Sequence, residues 1–159
     1  MKTLEITGKE EIEAVIARCG VCFVGLADTD GTPYVIPMNF GYENGSVYLH
    51  SSPNGRSIDI LQRNPRVCLT FATGHELVFQ HPEVACSYSM RSESVLAWGK
   101  VNFIEDMQQK REALGILMRH YADRPFVFSD PAVKNVKVWK VTVDTLTCKA
   151  FGRSPREKE

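Results

Sequence analysis

The sequence predicts a mainly β fold, an antiparallel β-barrel of six or more strands with two or three flanking helices packed outside it. Three observations carry that expectation. Apolar residues alternate at period two over several runs, most cleanly from Pro33 to Tyr42. Hairpin turn residues separate these runs, at Asp28-Thr29-Asp30-Gly31 and Glu43-Asn44-Gly45. An alternating βαβ pattern is missing, as are the GxGxxG and GxxxxGK[ST] loops of nucleotide-binding α/β folds.

The elements follow in order. Thr7 to Glu10 has capping-box spacing, and Ile12, Val15 and Ile16 repeat at helical period, so a helix is expected to end near Cys19-Gly20. Val21–Ala27 reads as a buried strand. Pro33–Tyr42 returns from the turn with Tyr34, Ile36, Met38, Phe40 and Tyr42 on a core face. Val35, Pro37, Asn39 and Gly41 occupy the other face. Pro37 removes a ladder donor, so part of this strand is expected to lack a protein partner, like an edge strand or one that receives a planar ligand. Ser46–Ser51 is the next strand, and Ser57–Arg63 a short helix stopped by Asn64-Pro65. Arg66–Thr73 is a strand, then a polar region with Gly74-His75-Glu76 intervenes, and Val84–Tyr88 is a further strand candidate. Val95–Ile104 is longer, and Gly99 in its middle marks a bulge or a close backbone approach. A helix from Glu105-Asp106 carries Met107, Leu114, Leu117, Met118 and Tyr121 as its apolar stripe. After the irregular Ala122–Asn135 come strand Val136–Val143 and a short one to Phe151.

Composition narrows the functional classes. The 159 residues suit one domain, spanning 1–152, with a charged, frayed tail at 153–159. Acidic and basic residues balance to a formal charge of zero, which leaves no electrostatic footprint for nucleic acid or an anionic membrane. A neutral surface also defends poorly against self-association, which favours an oligomer. No apolar run reaches the roughly 20 residues of a membrane span, and the first residues lack a secretory pattern, so the cytoplasm is expected. The five cysteines are expected to be reduced. Cys19 and Cys22 have CxxC spacing but precede a strand, so structural thiols are expected there and not a redox pair. His75, Glu76 and His81 do not share a helical face as HExxH ligands do, and read as a solvated loop. Trp98, beside Gly99, reads as core or dimer packing before pocket lining. No metal site is expected.

Chemistry concentrates between Pro33 and Pro65. His50, Ser51 and Ser52 lead into Gly55-Arg56-Ser57, which opens a helix. A helix start directs free N–H groups and a positive dipole end outward, and Arg56 adds a permanent cation with a forked donor. Hydroxyls complete a seat the size of one phosphate group, and the neighbouring strand offers a surface for a flat ring.

In that order, Pro33-Tyr34-x-x-Pro37, Tyr48-Leu49-His50-Ser51, Gly55-Arg56 and Asn64-Pro65-Arg66-Val67-Cys68 resemble the pyridoxamine 5′-phosphate oxidase-like superfamily. Its members are FMN-binding split barrels, and the likeness is greatest to the group related to nitroimidazole-resistance proteins. Ser94-Val95-x-x-x-Gly99 and Ala113-Leu114-x-x-Leu117-Met118-x-x-Tyr121 continue the match. The resemblance implies a six-stranded antiparallel split β-barrel that dimerises with FMN at the subunit interface. It implies that Pro37, Met38 and Asn39 line the isoalloxazine. His50 and Ser51 would approach the ribityl phosphate or ring edge, and Arg56 and Ser57 would grip the phosphate. Ser94 would come from the other subunit. Ser57 stands where the family usually has lysine, which removes one cation. The C-terminal tryptophan and arginine elements that hold vitamin B6 in true pyridoxamine phosphate oxidases are not recognisable in Cys148–Arg153.

The function expected is therefore an FMN-dependent oxidoreductase taking electrons from NADH or NADPH and passing them to a small organic acceptor, such as a nitroaromatic or quinone. His50 is the best candidate for a catalytic side chain, with a backbone-satisfied strand-end histidine as the competing reading. A non-catalytic flavin- or haem-binding module and a cofactor-free structural dimer are the alternatives.

Overall fold

In the computed structural model, residues 2–153 are described. Two unusually long strands organise them. β7 (Tyr88–Ile104) and β8 (Lys137–Arg153) each run for 17 residues and pair antiparallel from Ser92 to Ile104 of β7. On one side of them lie β6 (Arg66–Phe79), β2 (Cys22–Ala27) and β3 (Pro33–Met38). On the other lie β5 (Ser46–Ser51) and β4 (Gly41–Glu43). The resulting order is β3-β2-β6-β7-β8-β5-β4, with β1 (Lys2–Ile6) on the far end of β8. Every pairing is antiparallel.

The fold is thus mainly β with flanking helices, as the alternation predicts. Its strand segments number eight among the described residues, which agrees with the six or more read from the alternation and exceeds by two the six that the resemblance implies. β1 was not anticipated, and the expected strand Pro33–Tyr42 divides into β3 and β4 around Asn39-Phe40. Those two segments are the outer members of the sheet, so its two edges meet through the chain and not through a ladder.

Phe40, at that seam, is fully buried and meets the Phe71 ring edge-on at 4.9 Å. With Val24, Leu49, Leu69, Val95 and Trp139 it forms the interior of the curled sheet. Each such side chain stabilises the fold by about 1.5–3 kcal/mol. α1 (Lys9–Ala17) joins this core through Ile12, Val15 and Ile16. A second, smaller core lies outside β5 and β8. There α3 (Met107–Tyr121) and α4 (Asp130–Lys134) pack Ala113, Leu114 and Val133 against Val138 and Tyr48.

Glycine 99 behaves as its position in a strand predicts. The β7–β8 register shifts between Trp98 and Gly99, and a Cβ at residue 99 would sit 2.3 Å from the Thr142 carbonyl oxygen. Another backbone occupies the space a side chain would need.

Several local expectations are corrected. The Thr7 capping box does not form, because the N-cap of α1 is the next residue, Gly8, which has no side chain to cap with. The polar Gly74-His75-Glu76 stretch does not end β6. It is a bulge between Thr73 and Glu76, and the strand continues to Phe79. The expected strand at Val84–Tyr88 is a single 3₁₀ turn at Ala85–Ser87 leading into β7. The segment Ala122–Asn135 contains α4, and the two last strands are one. The frayed tail expected from Arg153 lies, past that residue, outside the described residues.

Candidate functional site

The candidate site begins where the sheet fails to close. β4 pairs with β5 up to Gly41 opposite Tyr48. Continued two residues further, that register would set Asn39 opposite His50. Instead β3 turns away and pairs only with β2, leaving its other edge without a ladder partner. A free edge presents backbone donors and acceptors at β spacing, and Pro37 interrupts the donors once. Val35 (62% exposed) and Pro37 face out from β3, Asn39 is exposed just past its end, and Met38 is half-buried toward the core.

At the start of β3 stands α2 (Arg56–Arg63). Its N-cap is Gly55 at φ 136°, ψ 171°, a conformation essentially restricted to glycine. Nothing lies within 4 Å of where its Cβ would be, so the glycine answers a backbone demand and not a steric one. No side chain caps this helix. The amide groups of its first turn therefore point outward without a side-chain acceptor. Ile58, Ile60 and Leu61 anchor α2 to the core, and Arg63 binds Asp28 through three hydrogen bonds of 2.8–3.1 Å. That pairing holds the Asp28 carboxyl below its ordinary range. The helix start is thus fixed from behind.

Arg56 is exposed, with its guanidinium 5.4 Å from the centroid of the Tyr34 ring. It forms no ion pair among the described residues. Ser57 is half-buried one residue on. From Tyr34 to Met38 the strand covers roughly 13 Å. The anion seat therefore stands at the start of β3, and the free strand edge runs away from it toward Met38.

The other sequence candidates are distributed differently. Ser51 is committed within the protein: its hydroxyl donates to the Ser52 carbonyl at 2.8 Å and accepts from Trp139 Nε1 at 3.1 Å. Ser52 is exposed. His50 precedes Ser51 on the strand, so its ring faces the opposite side, that of Tyr48 and the second core. Its Nδ1 is buried without a partner, and burial pushes its pKa down. Ser94 lies on the outward face of β7, opposite Ala72 and three strands from β3. Within one chain it does not join the other candidates. His75 and His81 are both exposed, and no cluster of metal-ligating side chains occurs among the described residues. Cys19 and Cys22 are both buried, and desolvation raises both thiols, Cys22 to about 12. Neither is available as a thiolate.

Two contributors were not read from the sequence. Tyr34 was assigned wholly to the core, yet its ring supports Arg56. Tyr121 was assigned to an apolar stripe, yet its hydroxyl accepts from the Phe40 amide at 3.0 Å and donates to the Gly20 carbonyl at 2.9 Å. A tyrosine ending an otherwise aliphatic stripe was the available signal.

A family model described as pyridoxamine 5′-phosphate oxidase matches residues 8–150. The chain belongs to that family. A crystal structure of a candidate 5-nitroimidazole antibiotic resistance protein from Bacteroides thetaiotaomicron is 59% identical, with a TM-score of 0.85 over 94% of this chain and 87% of that one. A flavocytochrome from Azotobacter vinelandii shares the fold at 24% identity, with a TM-score of 0.79 over 95% of this chain and 70% of that one. So does an FAD and heme binding protein from Mycobacterium smegmatis at 16% identity, with a TM-score of 0.80 over 92% and 72%. No curated protein matches the chain. Among the described residues no helix is long and apolar enough to cross a membrane.

The residues present fit a flavin mononucleotide. A phosphate ester would meet Arg56 and the open amides of α2, and a ring edge would meet the unpaired edge of β3. The weak point is Ser57, whose hydroxyl gives about 1 kcal/mol where a charged partner gives about 1.5–3.

Proposed function

We propose that this family member binds FMN and acts as a cytoplasmic oxidoreductase, taking electrons from NADH or NADPH and reducing a small organic acceptor such as a nitroaromatic or quinone. The observation that carries this reading is an uncapped helix start, with Arg56 outside any described ion pair, beside Tyr34 on the free-edged strand β3. The 59%-identical neighbour named for 5-nitroimidazole resistance supports the acceptor class.

Bound flavin would supply the hydride or electron transfer. This chain's residues would bind and orient it: Arg56 and the α2 amides neutralise the phosphate, and the β3 edge fixes the ring. A second copy of the chain would complete the site as a homodimer. The exposed apolar side chains Phe23, Val35 and Trp98 on one outer sheet face support that assembly. Vitamin B6 is disfavoured as a substrate, because Cys148–Arg153 is spent as strand between β1 and β7.

A visible spectrum of the purified protein tests the reading. Flavin absorbs near ~450 nm and haem near ~400 nm, and a colourless protein would leave only the cofactor-free dimer. Anaerobic bleaching by NADH or NADPH, reversed by a nitroaromatic, separates an enzyme from a storage module.

A further inference from the structure

α3 is held against the sheet at two places. Toward its C-terminus, a Cβ on Gly41 of β4 would sit 2.6 Å from the Leu117 Cα, so helix and strand meet backbone to backbone. Toward its N-terminus, Lys110 Nζ donates to the Val136 carbonyl at 2.9 Å, and Ala113 and Leu114 belong to the second core with Val133 and Val138. Along α3 the sheet is not fully covered, and a cavity of about 650 Å³ is left there. That volume lies within the roughly 300–1,000 Å³ of small-molecule sites.

The floor of the cavity is the outward face of the sheet. Tyr48 and Lys140 stand directly opposite each other on β5 and β8, and Ile104 ends β7. The wall is one stripe of α3, formed by Gln109, Glu112, Ile116 and Arg119 at spacings of a single helical face. Two acids and two bases line this space, and half of them are paired. Arg119 bonds Glu43 at 2.9 Å. Half-buried Lys140 has no acid and no hydrogen-bond acceptor among the described residues, and its ammonium stands 5.9 Å from the centroid of the Tyr48 ring. Glu112 accepts from Gln108 Nε2 at 3.2 Å and has no cationic partner among the described residues. A cation and an anion therefore line one cavity without joining each other.

We propose that this cavity binds a zwitterion the size of a dipeptide, with its carboxylate on Lys140, its ammonium on Glu112 and its apolar body on Tyr48, Ile104 and Ile116. The balance of signs favours such a ligand. A simple anion or cation meets no net attraction there, whereas a molecule carrying both charges finds a complementary partner at each end. The gap between Lys140 and Glu112 sets the form. A free amino acid carries both charges on one carbon, but the ends of an extended dipeptide stand roughly 7 Å apart. None of the residues assigned to the flavin lines this cavity, so the site is separate from the one proposed for FMN.

The test is titration of the isotope-labelled full chain with leucyl-leucine, read from backbone amide shifts. Two further probes each lack one charge: N-acetyl-leucyl-leucine has no ammonium, and leucyl-leucinamide has no carboxylate. Shifts should concentrate at Tyr48, Ile104, Gln109, Ile116 and Lys140, with a Kd of ~1 mM or tighter. Lys140→Met and Glu112→Gln should each weaken the dipeptide roughly 10- to 150-fold, as loss of a charged hydrogen bond predicts. Lys140→Met should leave leucyl-leucinamide as it binds to wild type, because that probe brings no carboxylate. Lys100→Met, at an exposed lysine of β7 outside the cavity, is the control and should bind as wild type does. Melting of all three variants should match wild type, since none breaks an ion pair of the chain. No localised shifts at ~10 mM dipeptide overturn the proposal, and so does equal affinity for the three probes. Free leucine binding as tightly as the dipeptide overturns the size of the ligand. Saturating FMN should leave the dipeptide affinity unchanged, and competition between them would overturn a separate site. A chain that binds the dipeptide and no flavin loses the flavin reading and keeps this one.

Discussion

The guanidinium of Arg56 lies 5.4 Å from the centroid of the Tyr34 ring, which joins the start of α2 to the start of β3. The contact holds a flexible cation over the first turn of the helix, where an anion would dock. Arg56→Ala is expected to weaken FMN binding by about 1.5–3 kcal/mol, roughly 10- to 150-fold in Kd. Titration followed by flavin fluorescence measures it, and an unchanged Kd would remove Arg56 from the phosphate seat.

Ser57→Lys restores a charge beside the same seat. FMN affinity should rise about fivefold, the difference between a charged and a neutral hydrogen bond. No gain on titration would mean that this side chain does not face the phosphate.

Gly55→Ala probes the backbone at the helix entry. At φ 136° an L-residue is strained, so about 1–3 kcal/mol of stability should be lost although the space around the position is empty. Urea denaturation would show this. A variant as stable as wild type would mean that α2 starts in some other way.

Tyr121→Phe removes one hydroxyl that serves two backbone groups, the Phe40 amide and the Gly20 carbonyl. The expected cost is about 1–3 kcal/mol. For a chain of this size each kcal/mol lowers Tm by about 2–4 °C, so a melt reads the change directly.

His50 makes stability depend on pH. Burial lowers its pKa below the ordinary 6.5, so the folded state resists a proton that the unfolded chain accepts. Its contribution is complete above 6.5 and is lost as pH falls from there toward the depressed value. His50→Leu should flatten the stability profile across that window. A profile identical to wild type would show that His50 does not titrate there.

Much of the fold was legible because its signals are local. The turn at Asn44-Gly45, with both residues at positive φ, and the breaker Asn64-Pro65 sit where their chemistry demands. Gly99 declared a close approach, and the Thr142 carbonyl is what approaches. β1 was hidden because, of Thr3 to Ile6, only Ile6 is fully buried, and its partner lies at the opposite end of the chain. The continuation of β6 to Phe79 was hidden because the bulge at Gly74-His75 resets the alternation on that strand only. At the site, Gly55, Arg56 and Ser57 could be read from helix-start chemistry alone. His50 and Ser51, adjacent in sequence, were read as one cluster, but strand geometry sends them to opposite faces. The Tyr34 support for Arg56 depends on how α2 docks, and no local pattern encodes that.

The last turn of α3 spans the seam between β3 and β4 with three consecutive side chains. Arg119 binds Glu43, His120 Nε2 donates to the Cys19 carbonyl, and Tyr121 holds Phe40 and Gly20. The barrel is therefore fastened there by a helix tip, the part of a helix that frays first. Unwinding that tip would free Phe40, Cys19 and Gly20 of their side-chain partners while leaving every rung of the sheet in place.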